Sequence, residues 1–81
     1  MSRQVVWDTA ALDTAAGILK SDPDGLLQLM NAVDRLAQNP RPPESLEFAS
    51  ADVRRLFIGL YRVLYEVADD TVTVIAIHRV T

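Results

Sequence analysis

Val53-Arg54-Arg55-Leu56-Phe57-Ile58-Gly59-Leu60-Tyr61-Arg62-Val63-Leu64-Tyr65-Glu66-Val67, followed beyond Asp69-Asp70 by Thr71-Val72-Thr73-Val74-Ile75-Ala76-Ile77-His78-Arg79, is the stretch that decides the fold. Its runs are rich in Val, Ile, Leu, Tyr and Phe, and turn-competent breaks at Gly59-Leu60 and Asp69-Asp70 separate them, which is the signature of consecutive hairpins. The spacing predicts a three-stranded antiparallel meander. Side chains alternate along a strand, so Arg55 and Phe57 share one face while Arg54, Leu56 and Ile58 take the other. Four of the eight basic residues, Arg54, Arg55, Arg62 and Arg79, fall on this meander.

The remainder of the 81 residues bounds what such a sheet can do. With 49% hydrophobic residues and no cysteine, residues 1–81 read as a single small domain without a disulfide framework, as suits a reducing compartment. No apolar run reaches the roughly 20 residues that span a bilayer, and Met1-Ser2-Arg3-Gln4 opens polar, so a cytoplasmic location is expected. A net charge of -3 excludes a protein that grips nucleic acid by bulk charge, because counterion release needs many basic contacts. Residues 1–40 set Arg3, Lys20 and Arg35 against five aspartates; residues 41–81 set five arginines against six acids. Neither half is basic, but in the second the arginines concentrate on strands and the acids in loops.

Upstream, Arg3-Gln4-Val5-Val6-Trp7 has the content of a short strand, and Asp8 is placed to cap a helix from Thr9 to Lys20. Leu12, Ala15, Ala16 and Leu19 form a narrow face at helical spacing. Ser21-Asp22-Pro23-Asp24 then signals a second helix, with Asp22 as cap and Pro23 in the first turn. Leu26, Met30, Val33 and Ala37, flanked by Leu29 and Leu36, give that helix a wide apolar stripe. Asn39-Pro40-Arg41-Pro42-Pro43 stops it. The order is β-α-α-β-β-β, an α+β fold in which a two-helix hairpin covers one face of a small antiparallel sheet. The expected core comprises Leu12, Leu19, Leu29, Met30, Val33, Leu36 and Val63.

Leu36-Ala37-Gln38-Asn39-Pro40-Arg41-Pro42, the block Gly59-Leu60-Tyr61-Arg62-Val63-Leu64-Tyr65-Glu66-Val67 and the terminal His78-Arg79 together resemble the RelE/ParE superfamily of type II toxin–antitoxin toxins. The likeness covers nearly the whole chain. It implies a RelE-like fold, a cognate antitoxin that wraps the toxin, and one of two activities. RelE-like members are ribosome-dependent endoribonucleases that cleave mRNA and inhibit translation; ParE-like members poison DNA gyrase. The nuclease chemistry needs no metal and no cofactor: cations stabilise charge on the phosphate while the ribose 2′-OH attacks. Carried over position by position, the resemblance implies a phosphate-binding cluster of Arg62, Arg79 and Arg55, with Arg54 beside it on the RNA. It implies proton transfer by His78, whose side-chain type titrates near neutrality.

The chain departs from the pattern at Phe57, where the family has an arginine, at Glu47-Phe48-Ala49, which replaces a basic segment, and at Val53 and Leu60. It also ends at Thr81, before the tail tyrosine of many RelE-like members. The resemblance therefore implies an attenuated nuclease, or a non-catalytic ParE-like gyrase inhibitor, or a decayed toxin that binds only its antitoxin. Read without it, the strand arginines are a solvated face and His78 is a strand-end histidine. On that reading Trp7, Tyr61 and Tyr65 pack the sheet, and Asp69-Asp70 is a turn rather than a metal site.

Overall fold

The computed structural model describes residues 2–80. Its elements are β1 (Gln4–Trp7), α1 (Thr9–Ser21), α2 (Pro23–Leu36), β2 (Leu46–Phe48), β3 (Ser50–Ile58), β4 (Tyr61–Val67) and β5 (Thr71–Arg79). They form one five-stranded sheet in the order β1-β5-β4-β3-β2, with α1 laid against β5 and α2 against β3. The α+β architecture and the meander of β3, β4 and β5 are as the sequence predicts. Gly59 opens the β3–β4 turn at φ 58, between the paired residues Ile58 and Tyr61, where a two-residue hairpin loop needs a residue that tolerates positive φ.

Two features of the sheet depart from expectation. It is mixed rather than antiparallel, because β1 pairs in parallel with β5, Val5 beside Val72 and Trp7 beside Val74. The intervening helix hairpin carries the chain back across the sheet, which is what a parallel neighbour requires. The segment expected to be loop before the meander also supplies an edge strand, β2, with Leu46 opposite Arg55. The chain reverses between β2 and β3 through Ala49 at φ 72, a left-handed conformation that no glycine marks in the sequence.

The core lies between the helices and the inward side of the sheet. Leu29, Val33, Leu36 and Val63 are buried as expected, joined by Leu56, Tyr61, Tyr65, Val72, Val74 and Ile77. Leu12, Leu19 and Met30, by contrast, are exposed, at 52, 59 and 46%. In α1 the buried residues are Ala11 and Ile18, with Ala15 packed beside them. Positions 11, 15 and 18 follow helical spacing as faithfully as 12, 16 and 19 do. The helix turns its smaller stripe inward, where Ala11 lets it approach β5 closely, and leaves its leucines outside.

Asp22 caps α2, its Oδ1 accepting the Gly25 N–H at 3.1 Å, with Pro23 opening the helix. Asp8 occupies the corresponding position for α1 without a side-chain cap bond to the described residues. The proline loop is tied to the sheet from within: the buried Tyr65 hydroxyl donates to the Pro40 carbonyl at 2.8 Å.

Candidate functional site

The helices cover one side of the sheet, so any site built from strand residues depends on which side chains turn outward. Cross-strand partners share a face. On the open face, Arg62 stands between Phe57 of β3 and His78 of β5, and Arg55 stands between Leu46 of β2 and Leu64 of β4. Arg55 places its guanidinium over the Phe48 ring, 5.7 Å from the centroid. Its Nε is buried and has no hydrogen-bond partner among the described residues.

The other two arginines face the helices. Arg54 pairs with Tyr65 and Glu47. Its Nε donates to the Ser45 Oγ at 2.8 Å and its Nη2 to the Ser45 carbonyl at 3.0 Å, while the Ser45 hydroxyl donates to the Pro42 carbonyl at 2.8 Å. Ser45 is buried. Arg54 thus holds the loop after α2 against the sheet, a position from which its guanidinium does not present itself to a phosphate on the open face.

Arg79 pairs with Tyr61 on the helix side. There the Tyr61 hydroxyl donates to the Asp22 Oδ2 at 2.8 Å. That hydrogen bond, then the Gly25 N–H and the charge of Arg79, hold the Asp22 carboxyl below its ordinary 3.8 against the opposing effect of burial. The same bond, with burial and the Asp22 charge, raises the Tyr61 phenol above 10.0, against the opposing effect of Arg79.

One extra residue in β5 explains the separation. Leu64 pairs with Ala76 and Tyr65 with Val74, so Ile75 is a bulge that reverses the phase of alternation. Val72, Val74 and Ile77 all turn inward as a result. Strict alternation from Val72 and Val74 would have turned Arg79 to the open face that carries Arg62; with the bulge, His78 turns there instead and pairs with Arg62. Of the residues predicted from sequence, the structure therefore brings together Arg55, Arg62 and His78, and sets Arg54 and Arg79 on the other side.

Sequence reasoning missed Asp22, Ser45 and Phe48 as partners of these groups. The Asp22–Tyr61 contact had a signal, since a buried tyrosine hydroxyl needs an acceptor; the Ser45–Arg54 contact had none. Among the described residues no three His, Asp or Glu side chains converge so as to hold a metal ion. Among the described residues no helix is long and apolar enough to cross a membrane.

Two further concavities lie away from Arg55, Arg62 and His78. An apolar groove of about 310 Å³ runs between β1 and the helices, lined by Trp7, Leu12, Ala15, Leu19, Leu26 and Met30. A polar one of about 400 Å³ at the far end of the sheet is lined by Arg3, Asp52, Glu66 and Asp69 together with Arg41. Arg41 and Asp52 pair there at 3.4 Å, both exposed.

Comparison with known proteins places this architecture. No curated protein matches the sequence. Among solved structures, E. coli toxin RelE, a double-substituted variant in the free state, superposes with a TM-score of 0.83 at 20% identity, over 98% of this chain and 84% of that one. RelBE2, a toxin–antitoxin complex from Mycobacterium tuberculosis, gives 0.79 at 19% identity, over 98% and 99%. The chromosomal ParDE system of P. aeruginosa gives 0.75 at 15%, over 99% and 98%. At such identities the likeness establishes the fold and does not choose between RelE and ParE. The sequence profile described as the ParE toxin of the type II toxin–antitoxin system, parDE, matches residues 5–80, and the chain belongs to that family.

Proposed function

We propose that this toxin acts in the cytoplasm by binding a protein target, DNA gyrase as expected of a ParE-like toxin, and that a cognate antitoxin holds it inactive. The observation that carries this reading is the division of the meander's arginines between the two faces of the sheet. A metal-independent nuclease lowers its barrier with charge placed around one phosphate, and each missing donor costs about 3 kcal/mol of transition-state stabilisation. Arg54 is committed to Ser45 and Arg79 lies beside Tyr61 and Asp22, which leaves two guanidiniums and one imidazole outward. Membership of a toxin–antitoxin family supports the antitoxin, as does the solution of the related RelBE2 as a toxin–antitoxin complex.

Induction in a heterologous host tests the assignment. The expected result is growth arrest with trapped gyrase–DNA complexes and unchanged mRNA 5′ ends. The juxtaposition of Arg62 and His78 across β4 and β5 favours a second reading, a slow RelE-like ribosome-dependent endoribonuclease with Arg62 on the phosphate, His78 moving the proton and Arg55 on the RNA. New 5′ ends within translated codons that vanish in Arg62→Ala would establish that reading and remove the first. Absence of both effects, with antitoxin binding retained, would leave a decayed toxin.

A further inference from the structure

The open face carries a strip whose chemistry the activity above does not specify. Phe48 and Phe57 are exposed at 45 and 52% and Leu46 at 51%, around two partly exposed arginines, Arg55 and Arg62. Exposed aromatic side chains beside guanidiniums are the composition of binding hot spots, because they release much apolar area and supply directional donors together. The chain as a whole carries -3, yet the only carboxylate that β3, β4 and β5 place on this face beside the arginines is Glu66, at the far end of β4. The strip is thus locally cationic on an acidic protein.

Arg55 sharpens the requirement. Its Nε is buried without an acceptor among the described residues, and its guanidinium lies over the Phe48 ring, an arrangement that costs free energy in the isolated chain. A carboxylate docking side-on to the guanidinium would accept from Nε and Nη together. Phe48 sits at the end of the three-residue edge strand β2, exposed beside the guanidinium that such a ligand would reach. Phosphate backbones would also accept from arginine. However, two guanidiniums among Leu46, Leu64 and two phenylalanines suit a mixed apolar and acidic protein surface better than a polyanion, whose affinity rests on many cations.

We propose that the strip Phe48–Arg55–Phe57–Arg62 is where the toxin engages its protein target, which presents a carboxylate to the two arginines and apolar side chains to the two phenylalanines. This rests on the reading of the chain as a toxin that works by binding. Binding of the full-length protein to DNA gyrase holoenzyme, the target proposed above, tests it, with circular dichroism confirming that each variant folds. Arg55→Ala and Phe57→Ala should each weaken binding about tenfold or more. Arg55→Lys should recover little of the loss, because lysine lacks the bidentate fork. Asp34→Ala, on the exposed side of α2, should bind as the wild type does.

Wild-type binding that survives all the strip substitutions would overturn the inference while leaving the functional reading intact. A wild-type chain with no affinity for gyrase overturns both. A single-stranded RNA oligonucleotide whose binding is lost in the strip variants, with gyrase binding unaffected, would assign the face to nucleic acid. Self-association in sedimentation that disappears in Phe57→Ala, again with gyrase binding unaffected, would assign it to a second copy of the chain.

Discussion

Two neighbouring arginines, Arg54 and Arg55, are alike in sequence and opposite in consequence. Arg54 donates from Nε and Nη2 to Ser45 at the buried side of the sheet, so Arg54→Ala removes charge-assisted hydrogen bonds and strands a buried carbonyl. It should lower unfolding free energy by about 2 kcal/mol in urea titration, whereas Arg62→Ala, on the open face, should stay within about 0.5 kcal/mol of the wild type. Alternation along the strand separated Arg54 from Arg55 in the sequence reading; the partner did not show, because Ser45 approaches through a loop whose path depends on Pro40 and Pro42.

Asp22 and Tyr61 add a pH dependence to the stability of the same molecule. The Asp22 carboxyl lies lower in the folded state than its usual 3.8, so its contribution is complete above that value and is lost as pH falls through the depressed one. The Tyr61 phenol lies higher than 10.0, so its contribution is complete below that value and is lost as pH rises through the elevated one. Urea midpoints measured from about pH 3 to about pH 11 should therefore fall at both ends. Asp22→Asn should remove this pair's part of the acid decline and shrink the alkaline one, since the bond to Asp22 is the largest cause of the tyrosine's rise.

At the scale of elements, α1 shows where periodicity stops being informative. Its stripes 11–15–18 and 12–16–19 are both apolar and both helical, and the larger side chains lie on the outer one. A hydrophobicity count favours the leucines; the close approach of α1 to β5 favours the alanines. Ile18→Ala should consequently cost about 2–4 kcal/mol in urea unfolding, and Leu19→Ala less than about 0.5 kcal/mol. Equal losses would mean that the helix is rotated from the orientation described. In β5 the sequence did carry a hint: inward β-branched residues at 72 and 74 followed by Ile77 break strict alternation, which requires an extra residue between them. The meander and the α2 cap were legible because each rests on local chemistry. The parallel pairing of β1 and the edge strand β2 were not, since each depends on where a distant segment returns.

The whole molecule leaves apolar surface on both sides. Trp7, Leu12, Leu19 and Met30 line the groove outside the helices, and Phe48, Phe57 and Leu46 stand on the open sheet. A domain of 81 residues has too little interior to enclose 49% hydrophobic residues, and patches of this kind on a small protein serve partners. Co-expression with the short open reading frame expected beside a type II toxin gene should therefore yield a stoichiometric complex. Because the antitoxin binds the folded toxin, a free antitoxin concentration 1,000-fold above Kd should add about 4 kcal/mol to the toxin's stability. The melting temperature should then climb with antitoxin concentration, at a rate set by that mass action. A toxin that melts at the same temperature with and without the neighbouring product, and copurifies with nothing, would show that its exposed apolar faces serve no antitoxin.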